Sequence, residues 1–108
     1  MRYTTVVIGP RAYESSAELR AFNPRLPEWV RAGGTLVVQY GQYEMAAPGT
    51  MPFPISLRRP AARVTLEEAP VRVIDPSARV LTWPNRITEA DWGAWVQERA
   101  LYMPTEID

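Results

Sequence analysis

Short apolar runs alternate along this chain with stretches punctuated by proline and glycine. "YTTVVIG" (3–9) is rich in β-branched residues and stops at Gly-Pro, which predicts a buried strand. In "RAYESSAELRAFNPRLPEWVRAGG", Ala17, Leu19, Phe22, Leu26, Trp29 and Val30 recur near helical spacing, and Gly33 and Gly34 supply a stop. Pro24 and Pro27 forbid one continuous helix, because each removes an N–H and brings its ring against a carbonyl of the preceding turn. The pattern therefore predicts a short first turn and then a second helix capped by Asn23, with proline tolerated in its opening turn. "TLVVQY" (35–40) is a second apolar strand. Strand, helix and strand within about 40 residues predict a right-handed βαβ unit with parallel strands.

The second half is less regular. Met45 to Pro60 carries Pro48, Gly49, Pro52, Pro54 and Pro60 with apolar residues between them, and reads as a long proline-rich loop of a kind that is often functional or mobile. "ARVTLEE" (62–68) and "VRVID" (71–75) alternate apolar and polar residues, the pattern of half-exposed strands at a sheet edge. "DPSARVLTWPN" predicts a turn, a short extended piece and another turn. "ITEADWGAWVQERALY" predicts a long last helix. Thr88 caps it and Asp91 follows three residues later, close to a capping box. Trp92, Trp95, Val96 and Arg99 fall on one face, and Gly93 weakens the helix by up to about 1 kcal/mol. The whole, residues 1–108, is expected to form a single α/β domain: a small, mainly parallel three-layer sheet with an antiparallel edge.

Composition narrows the chemistry. The 108 residues suffice for one small core, and 46% hydrophobic content suits a folded chain. Formal net charge is zero, so nothing in the balance draws the chain to nucleic acid. All 12 basic residues are arginine, which removes Schiff-base chemistry and a lysine general base. Cysteine and histidine are absent. Without them this chain has no thiolate nucleophile, no Ser-His or Cys-His relay and no ordinary zinc ligands. Only a carboxylate calcium or magnesium site survives as a formal option, and the acidic residues lack EF-hand spacing. No metal and no cofactor are expected. "MRYTTVVIG" is too short and polar for a signal peptide. No apolar run approaches the roughly 20 residues of a membrane helix, so neither a membrane nor nucleic acid is an expected partner, and the cytoplasm is the default location.

Candidate binding residues follow from the βαβ unit. In open α/β sheets, ligands favour the crevice beyond the carboxyl ends of the strands. Arg11, Tyr13 and Glu14 follow the first strand; Tyr40, Gln42, Tyr43 and Glu44 follow the second. Together they offer rings for stacking and polar groups for hydroxyls, a set suited to a sugar. The alternative is that they only anchor loops to the sheet end. Trp83, Trp92 and Trp95 form either a stacking platform or core, with Trp83 the one expected at the surface. Asp91 with Glu98, or Glu67 with Glu68, are the carboxylate pairs on which glycosidase chemistry would rest. Asp91 is better explained as a helix-start residue, and adjacent Glu67 and Glu68 point to opposite faces of a strand. Glu98 and Arg99 either meet a partner carboxylate or close an internal ion pair.

"VVIGPRAYE", "LRAFN…LPEWVRAGGTLVVQY", "PFPISLRRPAARVTLEEAPVRVIDPSARVL" and "PNRITEADWGAWVQERALY" together resemble the domain C-terminal to the catalytic part of some bacterial PIG-L (LmbE-like) deacetylases. That domain is itself similar to the class I glutamine amidotransferase-like (flavodoxin-like) fold, as in trehalose-utilisation-type proteins. The resemblance covers nearly the whole chain, and "NRIT…DW…WVQERALY" is its most specific part. It implies a deacetylase zinc site in a separate domain, since this chain has no histidine. Amidotransferases place a catalytic cysteine on the elbow after the strand matching "TLVVQY"; here Gln39, Tyr40 and Gly41 stand there, and the downstream His-Glu pair is missing. The resemblance thus implies a fold without amidotransferase chemistry, in a chain that is a fragment, a reduced version, or one that completes its sheet by pairing with a copy of itself; a protein partner or self-association through a sheet edge is the expected contact. The expected function is a non-catalytic accessory or interaction module, with a carbohydrate as the alternative ligand to a protein chain. The competing expectation is a hydrolase of sugar or amide substrates using carboxylates and Tyr40.

Overall fold

The structure is a computed structural model that describes residues 2–96 and 100–107. It divides into two compact units, Met1–Ala62 with Tyr102–Asp108, and Arg63–Leu101.

In the first unit β1 (Thr5–Ile8) pairs in parallel with β2 (Thr35–Val38), in the register Thr5↔Thr35 to Ile8↔Val38. Three short helices make the crossover: α1 (Ala12–Ser15), α2 (Ala17–Phe22) and α3 (Arg25–Arg31). The chain is therefore mixed α/β with a small two-stranded parallel sheet. Side chains alternate across it. Val6, Ile8, Leu36 and Val38 turn inward, where Ile8 joins buried Tyr13 and Leu26, with Leu19, Met45 and Met51 packed against them. Thr5, Val7, Thr35 and Val37 turn outward, and Val7 and Val37 remain 57% and 44% exposed. Within this unit all three helices belong to one crossover, and one crossover covers one face of the sheet.

Local chemistry explains the helix boundaries. Ser16 caps α2, its hydroxyl accepting from the Leu19 N–H at 3.0 Å. Asn23 is not the N-cap of the next helix, as its residue type suggests. It ends α2 in helical conformation, and its buried side chain is engaged elsewhere. Pro24 precedes α3 and Pro27 sits in its first turn, where the missing N–H has no partner to lose. The stop needs glycine: Gly33 has φ +105°, and a Cβ on Gly34 would come within 2.3 Å of the Trp29 ring.

After β2 come a 3₁₀ turn (Tyr43–Ala46), the proline-rich stretch and β3 (Ile55–Ser56), which pairs antiparallel with β4 (Glu106–Ile107). Ala62 and Met103 form one more antiparallel bridge. Antiparallel pairing thus exists, partly in segments the alternation did not mark and partly at Ala62, the first residue of "ARVTLEE".

"ARVTLEE" is paired only at its start, where Ala62 bridges Met103 and the Val64 N–H donates to the Ala100 carbonyl at 2.8 Å. The rest of it and "VRVID" are irregular rather than strands among the described residues, and Leu66 and Ile74 stay 70% and 86% exposed. The expected extended piece after Asp75 is instead a single helical turn, α4 (Arg79–Thr82). The long last helix is corrected to α5 (Glu89–Trp92), which closes at Gly93. Its capping box is present, the Asp91 carboxylate accepting from the Thr88 N–H at 2.7 Å. Trp95 and Val96 follow as exposed coil. Glu98 and Arg99 lie outside the described residues. No helix among the described residues is long and apolar enough to cross a membrane.

Candidate functional site

Two backbone bonds tie the carboxyl ends of β1 and β2 together, from the Gln39 N–H to the Ile8 carbonyl at 3.0 Å and from the Arg11 N–H to the Tyr40 carbonyl at 2.7 Å. Arg11 pays for this position with φ +55°, a left-handed conformation that costs a non-glycine residue about 1 kcal/mol. Its guanidinium closes a two-point pair with Glu14, Nε to Oε2 at 2.8 Å and Nη2 to Oε1 at 2.5 Å. That hydrogen bond and the opposite charge hold the Glu14 carboxyl below the usual range and push Arg11 higher still. Two of the expected ligand groups therefore satisfy each other. Arg20 reaches back to the Tyr13 and Glu14 carbonyls, each at 2.8 Å.

Tyr13 is a correction to the expected rim. It is only 4% exposed, its ring lies in the core, and its hydroxyl donates to Asn23 Oδ1 at 2.8 Å. Helix α1 starts at Ala12, so the next residue turns under the sheet end instead of onto it. Burial pushes its phenol pKa up.

The residues after β2 do gather at the rim. Gly41 is buried, and a Cβ there would come within 2.8 Å of Met45 Sδ, so glycine lets the chain turn tightly from Tyr40 to Gln42. Gln42 Nε2 lies 3.4 Å from the Tyr40 hydroxyl. Tyr40 and Tyr43 both meet Tyr102 edge to face, with centroids 6.2 and 5.1 Å apart. The Arg59 guanidinium lies 3.8 Å from the centre of the Tyr43 ring. A cavity of about 410 Å³ opens beside these groups, lined by Tyr43, Pro48, Ile55, Ser56 and Arg59.

Of the expected site residues, Arg11, Glu14, Tyr40, Gln42 and Tyr43 stand at the strand ends. Tyr102 and Arg59 were not expected; Tyr102 reads as the tail of a helix and Arg59 as part of a loop, and no local pattern joins them to Tyr43. Trp83 belongs to the Arg63–Leu101 unit, is 62% exposed and carries the Arg79 guanidinium 4.7 Å from its ring centre. There too, Trp92 and Trp95 meet edge to face at 4.9 Å. No group of three or more metal-ligating side chains occurs among the described residues. Among the carboxylates weighed for catalysis, Asp91 is engaged in the capping box, and Glu67 and Glu68 are exposed in irregular chain.

Compared with family models, curated proteins and solved structures, the chain matches none of them.

Proposed function

We propose that this chain is a non-catalytic accessory module related to the C-terminal domain of PIG-L-type deacetylases. On this reading its β1–β2 unit is part of a class I glutamine amidotransferase-like, flavodoxin-like sheet, and it takes up a carbohydrate at the strand ends. The observation that carries it is the run Tyr40–Tyr102–Tyr43–Arg59 beside Gln42. A pyranose ring has C–H faces that pack on aromatic rings and hydroxyls that need donors and acceptors in the plane. Tyrosines provide both at low conformational cost, and Tyr40 remains 41% exposed. Calorimetric titration with a panel of oligosaccharides tests it. Tyr40→Ala or Tyr43→Ala is expected to weaken the best ligand by about tenfold, a loss of roughly 1.4 kcal/mol. Unchanged binding in both variants removes the site.

A second reading, association with another copy through a sheet edge, is favoured by the state of β1. The Thr35 and Gln39 N–H groups donate to the Thr4 and Ile8 carbonyls, so the backbone groups of Thr5 and Val7 point away from β2. That edge is unpaired within its two-stranded sheet, and an apolar groove of Val6, Ile8, Leu19, Phe22 and Leu26 runs beside it.

A further inference from the structure

We infer that the ligand of the strand-end site is an acidic sugar bearing a carboxylate, of the uronic acid class, and that Arg59 selects it. The inference rests on the carbohydrate reading above and adds the charge of the ligand. Its basis is which arginine of the first unit both lacks an ionic partner and lines the cavity at Tyr43: Arg25 lies over Phe22 and, among the described residues, is likewise without an ion pair, but it lies outside that cavity. Arg11 is consumed by Glu14, and Arg20 by two backbone carbonyls. Arg59 lies against the Tyr43 face and, among the described residues, has neither a hydrogen bond nor an ion pair. Contact through the face of the guanidinium leaves its five N–H donors at the edge. These donors match a carboxylate at two points, in bonds stronger than those between neutral groups. The ring also restrains the side chain before any ligand arrives, which lowers the entropy lost on binding.

The neighbours agree in sign. Arg58 is exposed next to Arg59 and adds a second positive charge. Glu44, the acidic residue after β2, is the opposing charge, and it is outside the lining of the cavity at Tyr43. The cavity between Tyr43 and Arg59, about 410 Å³, is in the size range of small-ligand sites. A sugar held in this cavity beside Tyr43 would thus bring its carboxylate to the edge of the Arg59 guanidinium. The guanidinium fork also takes a phosphate at two points, so a phosphorylated sugar is the anionic competitor to be tested.

The experiment is calorimetric titration of the full chain with trigalacturonic acid, neutral galactotriose and galactose 6-phosphate, repeated with Arg59→Ala and Arg59→Lys. The acidic trisaccharide is expected to bind about tenfold or more tightly than the neutral one. Added salt should narrow that gap. Arg59→Ala should abolish the preference and Arg59→Lys restore only part of it, because a point charge lacks the fork. Arg59 is exposed, and an unchanged thermal melt verifies that each variant folds. Equal affinity for acidic and neutral sugars, a preference that survives Arg59→Ala, or tighter binding of the phosphate each overturns the inference while leaving the carbohydrate site standing. Absence of binding by all three sugars overturns both.

Discussion

The Tyr13 hydroxyl donates to Asn23 Oδ1, and Asn23 Nδ2 donates onward to the Thr50 carbonyl, each bond at 2.8 Å. Two side chains in series thereby fasten α1, the end of α2 and the proline-rich stretch to one another. Tyr13 and Asn23 are 4% and 6% exposed, so little water can replace a lost partner, and an unpaired buried group costs about 1–3 kcal/mol. Asn23→Ala strands both the phenol and the Thr50 carbonyl, and is expected to lower unfolding stability in urea by about 2–3 kcal/mol. Tyr13→Phe strands only Asn23 Oδ1 and should cost less. The same burial gives an alkaline signature. The Tyr13 phenol has a raised pKa in the folded state, so above its ordinary pKa of about 10 the unfolded chain loses the proton first. Its contribution to stability is complete below that pH and lost as pH rises through the folded value. Denaturation midpoints followed through that range should fall less steeply in Tyr13→Phe than in the parent; identical slopes would mean that Tyr13 does not titrate as a buried group.

At the scale of elements, what the sequence made legible was what neighbours a few residues apart decide. The β1–crossover–β2 unit follows from two β-branched runs and the limited ways a short chain can join parallel strands. The start of α5 was equally legible, since Thr88 and Asp91 close the capping box within one turn. Its length was not. A helix this short gains most of its stability from burying an apolar face, and Trp95 and Val96 remain 42% and 56% exposed. The alternation in "ARVTLEE" holds only at its start, where Ala62 and Val64 meet Met103 and Ala100, and "VRVID" is irregular: period two makes a strand only where a partner strand supplies the ladder. The site divides along this line too. Strand ends placed Arg11, Glu14, Tyr40, Gln42 and Tyr43, because position along β1 and β2 fixes them. Tyr13 was misplaced by one residue of helix phase. Arg59 and Tyr102 reach Tyr43 through pairing of β3 with β4 and of Ala62 with Met103, which no local window contains.

For the molecule as a whole, the decisive feature is the unpaired edge of β1. Val7 is 57% exposed on one face of that strand, and the apolar groove of Val6, Ile8, Leu19, Phe22 and Leu26 runs along the other. Two copies of β1 can pair antiparallel about a twofold axis, with Thr5 of each chain opposite Val7 of the other. The outward N–H and C=O groups of both residues then find partners without disturbing the bonds to β2. Light scattering and sedimentation at about 100 µM, well above the dissociation constant of a typical obligate dimer, should then give about twice the 12.2 kDa of one chain. Val7→Lys places a charge beside the edge, and Val7→Pro deletes the outward donor at no cost to the existing ladder. Each should return the mass to that of one chain and leave the circular dichroism unchanged. A parent chain that stays monomeric at this concentration, or a dimer indifferent to both substitutions, would rule out β1 as the surface through which copies meet.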